Sequence, residues 1–273
     1  MSNITFRPRL LKLIFIPALA LIFLSCSGLL FQPHRRIYNT PDELGIKYED
    51  IYTEAQDGIK INGWKLIPEN YSTGISILHF HGNGENISTY FRSMVWLVRH
   101  GVTVYLFDYR GYGNSEGTAS FPEVFMDLQA AYDYVAAREQ KIVIMGQSLG
   151  GALSVYFVGS KPRRLKKTQA MILDAPIITR YLRYPLSLTM PGDHYDPINY
   201  IGRINIPILL FHSPDDQVIP YRHAEVLTEK QPRIRFIPTA GPHIHTFGFN
   251  NYRNDALRFL SEIYGVPLGF EGD

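Results

Sequence analysis

The 273-residue sequence contains a single cysteine, Cys26, so no internal disulfide is available to hold it together. Charged residues are sparse at 19%, and the formal net charge is only +2. Three of the basic side chains, Arg7, Arg9 and Lys12, precede the first acidic one, Asp42. Beyond residue 25, 24 basic side chains face 25 acidic ones, a balance that gives no polyanion-binding face and excludes nucleic acid as an expected partner. No internal repeat or low-complexity stretch is visible. With 45% apolar and 13% aromatic residues, the composition excludes disorder and collagen-like repeats. A chain of this length forms one domain of catalytic size by default.

No apolar run is long enough to span a bilayer unaided. Residues 13–24 carry no polar side chain, but a spanning helix needs roughly 20 such residues. Preceded by three basic residues, this stretch reads as the n-region and h-region of an export signal. It ends in Phe23-Leu24-Ser25-Cys26-Ser27, which resembles a bacterial lipobox with Ser25 in the small position; Phe23 and Leu24 depart from the usual pattern. The resemblance implies cleavage before Cys26 and lipidation of that cysteine. Residues 1–25 are therefore expected to be a lipoprotein-type signal peptide or a signal anchor, 26–43 a tether, and 44–273 the folded domain. Because the basic flank stays in the cytoplasm, the body is expected on the far side, exported and membrane-anchored at a bacterial cell envelope.

From residue 44 onward, strand-like and helix-like periods alternate, which predicts an α/β domain. Residues 45–54 and 59–67 read as a hairpin at the sheet edge around Gln56-Asp57-Gly58. The apolar runs 75–80, 102–107, 142–145, 170–173 and 206–211 have the continuous hydrophobicity of buried parallel strands, and 233–238 is a last strand. Helices are expected over 87–100, 122–139, 148–159, 222–231 and 251–264, with Pro122 in a first turn. Residues 177–204, rich in tyrosine and proline, interrupt the alternation and are expected to form a lid-like insertion.

The strongest chemical signal is Gly146-Gln147-Ser148-Leu149-Gly150, a Gly-x-Ser-x-Gly between a buried strand and a helix. A nucleophilic serine needs the apex of a tight turn, and the flanking glycines allow close backbone approach. Such a serine needs a base, and the base needs a carboxylate that orients it. Asp216, Asp215 and Asp174 are the candidate acids, and His243 and His245 the candidate bases. Paired His79/His81 and His243/His245 have the alternation of metal ligands, yet no carboxylate follows at ligand spacing, so neither metal nor cofactor is expected. Gly111, Gly113 and Gly117 lack the Gly-x-Gly-x-x-Gly spacing of a dinucleotide site.

At this point the chain resembles the α/β-hydrolase superfamily over about residues 45–265. The motifs that carry the resemblance are His79-Phe-His-Gly-Asn-Gly84, Asp108-Tyr-Arg-Gly-Tyr-Gly-Asn-Ser-Glu-Gly117, the serine turn, His212-Ser-Pro-Asp-Asp-Gln-Val-Ile-Pro220 and Gly241-Pro-His-Ile-His-Thr246. Among its members the chain is most similar to small membrane-associated serine hydrolases, the esterase and depalmitoylase branch. The resemblance implies a mostly parallel central sheet with helices on both faces. It also implies the order Ser148, Asp216, His243 for the triad, since Asp216 matches the Asp-x-Val-x-Pro spacing; Asp174 stands where some relatives carry their acid. The backbone N–H groups of Asn83 and Leu149 are the implied oxyanion hole, with His81 supporting its loop. The expected activity is hydrolysis of carboxylic esters or thioesters, on a small or lipid-like acyl substrate, through an acyl-enzyme. A serine aminopeptidase or amidase with the same triad, using Glu85, Asp193 or Asp196 for a free N-terminus, is the alternative; an inactive binding protein is another.

Overall fold

The computed structural model describes residues 31–161, 164–178, 196–270 and 272. The expected export signal, Cys26 and most of the expected lid lie outside the described residues. Among the described residues, no helix is long and apolar enough to cross a membrane.

The strands are β1 (Gln32–Pro33), β2 (Tyr48–Glu54), β3 (Lys60–Leu66), β4 (Ile75–Phe80), β5 (Gly84–Glu85), β6 (Thr103–Phe107), β7 (Lys141–Gln147), β8 (Thr168–Asp174), β9 (Ile208–His212) and β10 (Ile234–Pro238). The helices are α1 (Ile87–Tyr90), α2 (Val95–Arg99), α3 (Val124–Ala136), α4 (Leu149–Ser160), α5 (Arg222–Lys230) and α6 (Asn250–Tyr264). Eight strands form one sheet in the order β10-β9-β8-β7-β4-β6-β3-β2. The β2–β3 and β3–β6 pairs are antiparallel, and all others in this sheet are parallel. The expected hairpin is β2–β3, closed where the Gly58 N–H donates to the Ala55 carbonyl at 2.8 Å.

Alternate side chains of each central strand enter two separate cores. Leu78, Tyr105, Ile144, Leu173 and Leu210 face α3, α4 and α5, where they meet Leu128, Phe157 and Leu227. Their neighbours Ile77, Val104, Met145, Ile172 and Leu209 face the other side, covered by Trp96 of α2 and Leu257 of α6. Burying one such side chain contributes roughly 1.5–3 kcal/mol, against about 1 kcal/mol for a backbone hydrogen bond. The two apolar faces, more than the hydrogen-bond ladder, therefore specify the register.

Two local features differ from the sequence reading. The helix expected over 87–100 is broken into α1, a 3₁₀ turn at Phe91–Met94, and α2. Side chains take the carbonyls a continuous helix would use: the Ser93 hydroxyl donates to the Tyr90 carbonyl at 2.8 Å, and the Trp96 indole N–H to the Ser93 carbonyl at 2.8 Å. In addition, the part of the expected tether from Phe31 to Thr40 packs on the body. Phe31 is buried against Phe121, with ring centroids 4.9 Å apart, and β1 pairs in parallel with β5.

Candidate active site

The parallel strands β4, β7, β8, β9 and β10 all end on one side of the sheet, the side where open α/β folds bind their ligands. Their following loops carry His81 to Glu85, Ser148, Ala175, Asp216 and His243. Among the described residues, four non-glycine residues have positive φ: Glu85 at 63°, Ser148 at 52°, Ala175 at 47° and Ile244 at 50°. All four lie in these loops. Such strain costs about 1–3 kcal/mol per residue and persists where surrounding structure enforces it, a pattern concentrated at functional sites.

Ser148 sits at the turn from β7 into α4 and is buried. Its N–H donates to the Asp174 carbonyl at 2.9 Å, and its carbonyl accepts from Ala152 at 3.2 Å and Ile177 at 3.3 Å. The turn is thus held from three directions. Only glycine fits on either side: a Cβ on Gly150 would run into the Phe80 and His81 carbonyls, and one on Gly146 would lie 2.5 Å from the Gly150 carbonyl.

His243 donates its Nδ1–H to Asp216 Oδ2 at 2.7 Å, a charge-assisted geometry that puts the proton on Nδ1 and leaves Nε2 as the basic atom. The other carboxylate oxygen accepts the N–H groups of Val218 and Ile219, both at 2.8 Å. His212 Nε2 lies 3.4 Å from Oδ2 and bonds the Ile219 carbonyl at 3.0 Å. Burial opposes ionisation of Asp216, but the His212, His243 and Ile219 contacts outweigh it and hold its carboxyl well below the usual carboxylate range.

The structure separates these residues from their rivals. Asp215 is exposed one position away. His245 is also exposed; its ring packs edge-on to Phe249 at 5.6 Å. The left-handed backbone at Ile244 breaks the alternation that would have aimed the two histidines alike. Asp174 is fully buried and accepts from Gln147 Nε2 at 3.0 Å and the Thr246 hydroxyl at 2.7 Å. Burial pushes its pKa up, unlike that of Asp216. His79 Nε2 donates to Gln147 Oε1 at 3.0 Å; burial and the neighbouring His81 lower its pKa to about 3, so it is neutral.

The loop after β4 passes Ser148: a Cβ on Gly82 would stand 3.6 Å from the Ser148 Cβ. His81 Nδ1 donates to the Gly82 carbonyl at 2.8 Å, and its Nε2 lies 3.4 Å from Asp108. In a planar trans peptide the carbonyl and the next N–H point in opposite directions. His81 therefore aims the Asn83 N–H by holding the Gly82 carbonyl. The hydroxyls of Tyr109 and Tyr112 donate to the carbonyls of His81 and Asn83, at 2.8 and 2.7 Å.

Sequence reasoning did not assign parts to His212, Gln147, Tyr109 or Tyr112. All four sit inside the quoted motifs, next to strand ends, which was the available signal.

The family model described as "Serine aminopeptidase, S33" matches residues 73–191. The chain is 32% identical to the uncharacterized protein YfhR of Escherichia coli strain K12 over 277 residues, covering 93% of this chain and 94% of that one. It is 29% identical to the alpha/beta hydrolase domain-containing protein WAV2 of Arabidopsis thaliana, covering 82% of each. In structure it is similar to the Pyrococcus furiosus esterase Pf2001, with a TM-score of 0.71 at 21% identity over 86% of this chain and 100% of that one. With a hydrolase family model over residues 73–191, a relative named as alpha/beta hydrolase domain-containing and another relative above 30% identity over 94% of its own length, the chain belongs to the α/β-hydrolase superfamily.

Proposed function

We propose that the protein is a serine hydrolase that cleaves carboxylic esters or thioesters through an acyl-enzyme. The observation that carries this reading is the 2.7 Å bond from His243 Nδ1 to Asp216, which leaves Nε2 as a base on the same rim as the strained Ser148. Ser148 Oγ attacks the acyl carbon as Nε2 takes its proton, and the carbonyl π electrons move onto oxygen. The N–H groups of Asn83 and Leu149 stabilise that oxyanion. Collapse expels an alcohol or thiol, which receives the proton from Nε2. Water then repeats the sequence, releasing the acid and restoring the serine. The low pKa of Asp216 keeps it ionised while the imidazolium forms.

The test is an acyl-chain series of p-nitrophenyl esters, from acetate to palmitate, with Ser148→Ala in parallel. Turnover lost in the variant supports the reading; turnover that survives it overturns it.

A second reading, amide cleavage from a free N-terminus, is favoured by the description of the matching family model. Glu85, exposed on the loop after β4, is an acidic group available to a substrate ammonium. Aminoacyl p-nitroanilides cleaved faster than every ester would select it.

The reading includes an exported body held at a membrane through residues 1–25 or a lipid on Cys26. From Cys26 to Phe31 the extended chain reaches at most about 18 Å, which keeps the site near the bilayer and favours an acyl or lipid-like substrate. Fatty-acid labelling that Cys26→Ala abolishes supports lipidation; labelling that persists contradicts it.

A further inference from the structure

The chain enters its folded body across the loop that carries Asn83. The Gln32 N–H is shared between Asn83 Oδ1, at 2.9 Å, and the Tyr112 hydroxyl, at 3.1 Å. That hydroxyl donates onward to the Asn83 carbonyl at 2.7 Å. One register step on, β1 pairs with β5, Gln32 opposite Gly84 and Pro33 opposite Glu85. Asn86 then clasps the segment from the other side, its Nδ2 donating to the carbonyls of His34 at 2.9 Å and Arg36 at 2.7 Å.

We propose that residues 31–36 are a positioning strap for the Asn83 N–H, so that the segment joining the export region to the body is a working part of the oxyanion hole. This inference rests on the serine-hydrolase reading. The Asn83 N–H lies in the Gly82–Asn83 peptide plane, and the next plane fixes the Asn83 Cα about which that plane would otherwise tilt. The plane before Asn83 is held by His81 through the Gly82 carbonyl. The plane after it is held by Tyr112, and the Tyr112 hydroxyl is in turn oriented by the Gln32 N–H, which obliges it to accept there and donate to Asn83. The strap also occupies the Asn83 side-chain oxygen, which keeps that amide out of the site. Phe31, buried against Phe121, anchors the near end, and the Gly113 N–H donates to the His34 carbonyl at 2.9 Å beyond it. A donor to an oxyanion loses effect steeply with misalignment, because its preorganisation is what stabilises the developing charge.

Two substitutions test the strap on the full-length protein in detergent. Tyr112→Phe deletes the hydroxyl while keeping the ring packed against His81 and Tyr109. Gln32→Pro deletes the shared N–H at a position whose side chain is exposed. With p-nitrophenyl acetate, each is expected to lower kcat roughly 10- to 100-fold at nearly constant KM. The double variant is expected to be no worse than the weaker single one, because both break one relay. Fluorophosphonate labelling of Ser148 is expected to slow in parallel. A lowered melting temperature with kcat within about twofold of wild type in both variants would mean a structural clasp only, and overturns the proposal while leaving the hydrolase reading intact. Absence of turnover and labelling in the wild type overturns both.

Discussion

The Thr246 hydroxyl donates to Asp174 at 2.7 Å, tying the loop that carries His243 to the strand end whose carbonyl receives the Ser148 N–H. A buried carboxyl that superficially competes for the acid position thus spans the nucleophile turn and the histidine loop. Its raised pKa, caused by burial, suits a hydrogen-bonding bridge and not a counter-charge for an imidazolium. Asp216→Asn is expected to lower kcat about 10⁴-fold, whereas Asp174→Asn, which still accepts from Gln147 and offers its amide to Thr246, is expected to cost less than about tenfold. Steady-state kinetics on one ester decides between them. The reverse ranking would make Asp174 the acid.

The two histidines of the last loop give a second contrast. His243 is held by Asp216, while His245 lies exposed against Phe249. His243→Ala is expected to remove at least about 10³-fold of kcat, and His245→Ala to stay within about threefold. Equal losses would contradict the assignment.

Much of this was legible in the sequence. Parallel strands covered on both faces read as unbroken apolar runs, so β4, β6, β7, β8 and β9 were found to within a residue or two. The candidate triad was legible as a set of residues because its chemistry demands particular side chains, and loops at strand ends carry them: Ser148 between glycines, Asp216 two residues before Val218, His243 after Gly241. The strap was not legible, for its contacts use the Gln32 N–H and the carbonyls of His34 and Arg36, groups every residue possesses. Nor was the break at Phe91–Met94, which depends on the Ser93 and Trp96 side chains finding backbone carbonyls. The resemblance ranked His243 over His245, but the positive φ of Ile244 that turns the two rings apart, an unfavourable conformation for a β-branched residue, is predicted by no propensity.

Acid sensitivity follows from His79. Its folded pKa is lowered to about 3, first by burial and then by His81, against about 6.5 in an unfolded chain. Between these values the unfolded chain binds a proton that the folded protein does not. Stability therefore rises with pH through this window, and is lost as pH falls from about 6.5 toward 3. The raised pKa values of Asp108 and Asp174, both set by burial, act in the opposite sense. His79→Gln is expected to flatten the stability slope between about pH 6 and 4 by up to about 1.4 kcal/mol per pH unit. Urea midpoints across that range measure it; an unchanged slope would contradict a neutral buried His79.

Arg110 supplies a prediction for the scaffold. Its guanidinium reaches Asp127 through Nε at 2.9 Å and Nη2 at 2.7 Å, and Asp57 through Nη1 at 2.7 Å. The pair with Asp127 is buried, with side chains 5% and 1% exposed. Asp127→Ala leaves half of a buried cation's partners missing and is expected to cost about 3–5 kcal/mol, read as a shifted urea midpoint with an unchanged pH–rate profile. A loss under about 1 kcal/mol would show that the pair behaves as a surface ion pair.

The most direct test of the central claim is peptide mapping by mass spectrometry after reaction of the full-length protein with a fluorophosphonate. The account predicts one stoichiometric adduct on Ser148, formed in wild type and absent from Ser148→Ala and His243→Ala. An unmodified Ser148 in active-site-competent, folded protein, or an adduct on another residue that survives Ser148→Ala, would contradict it.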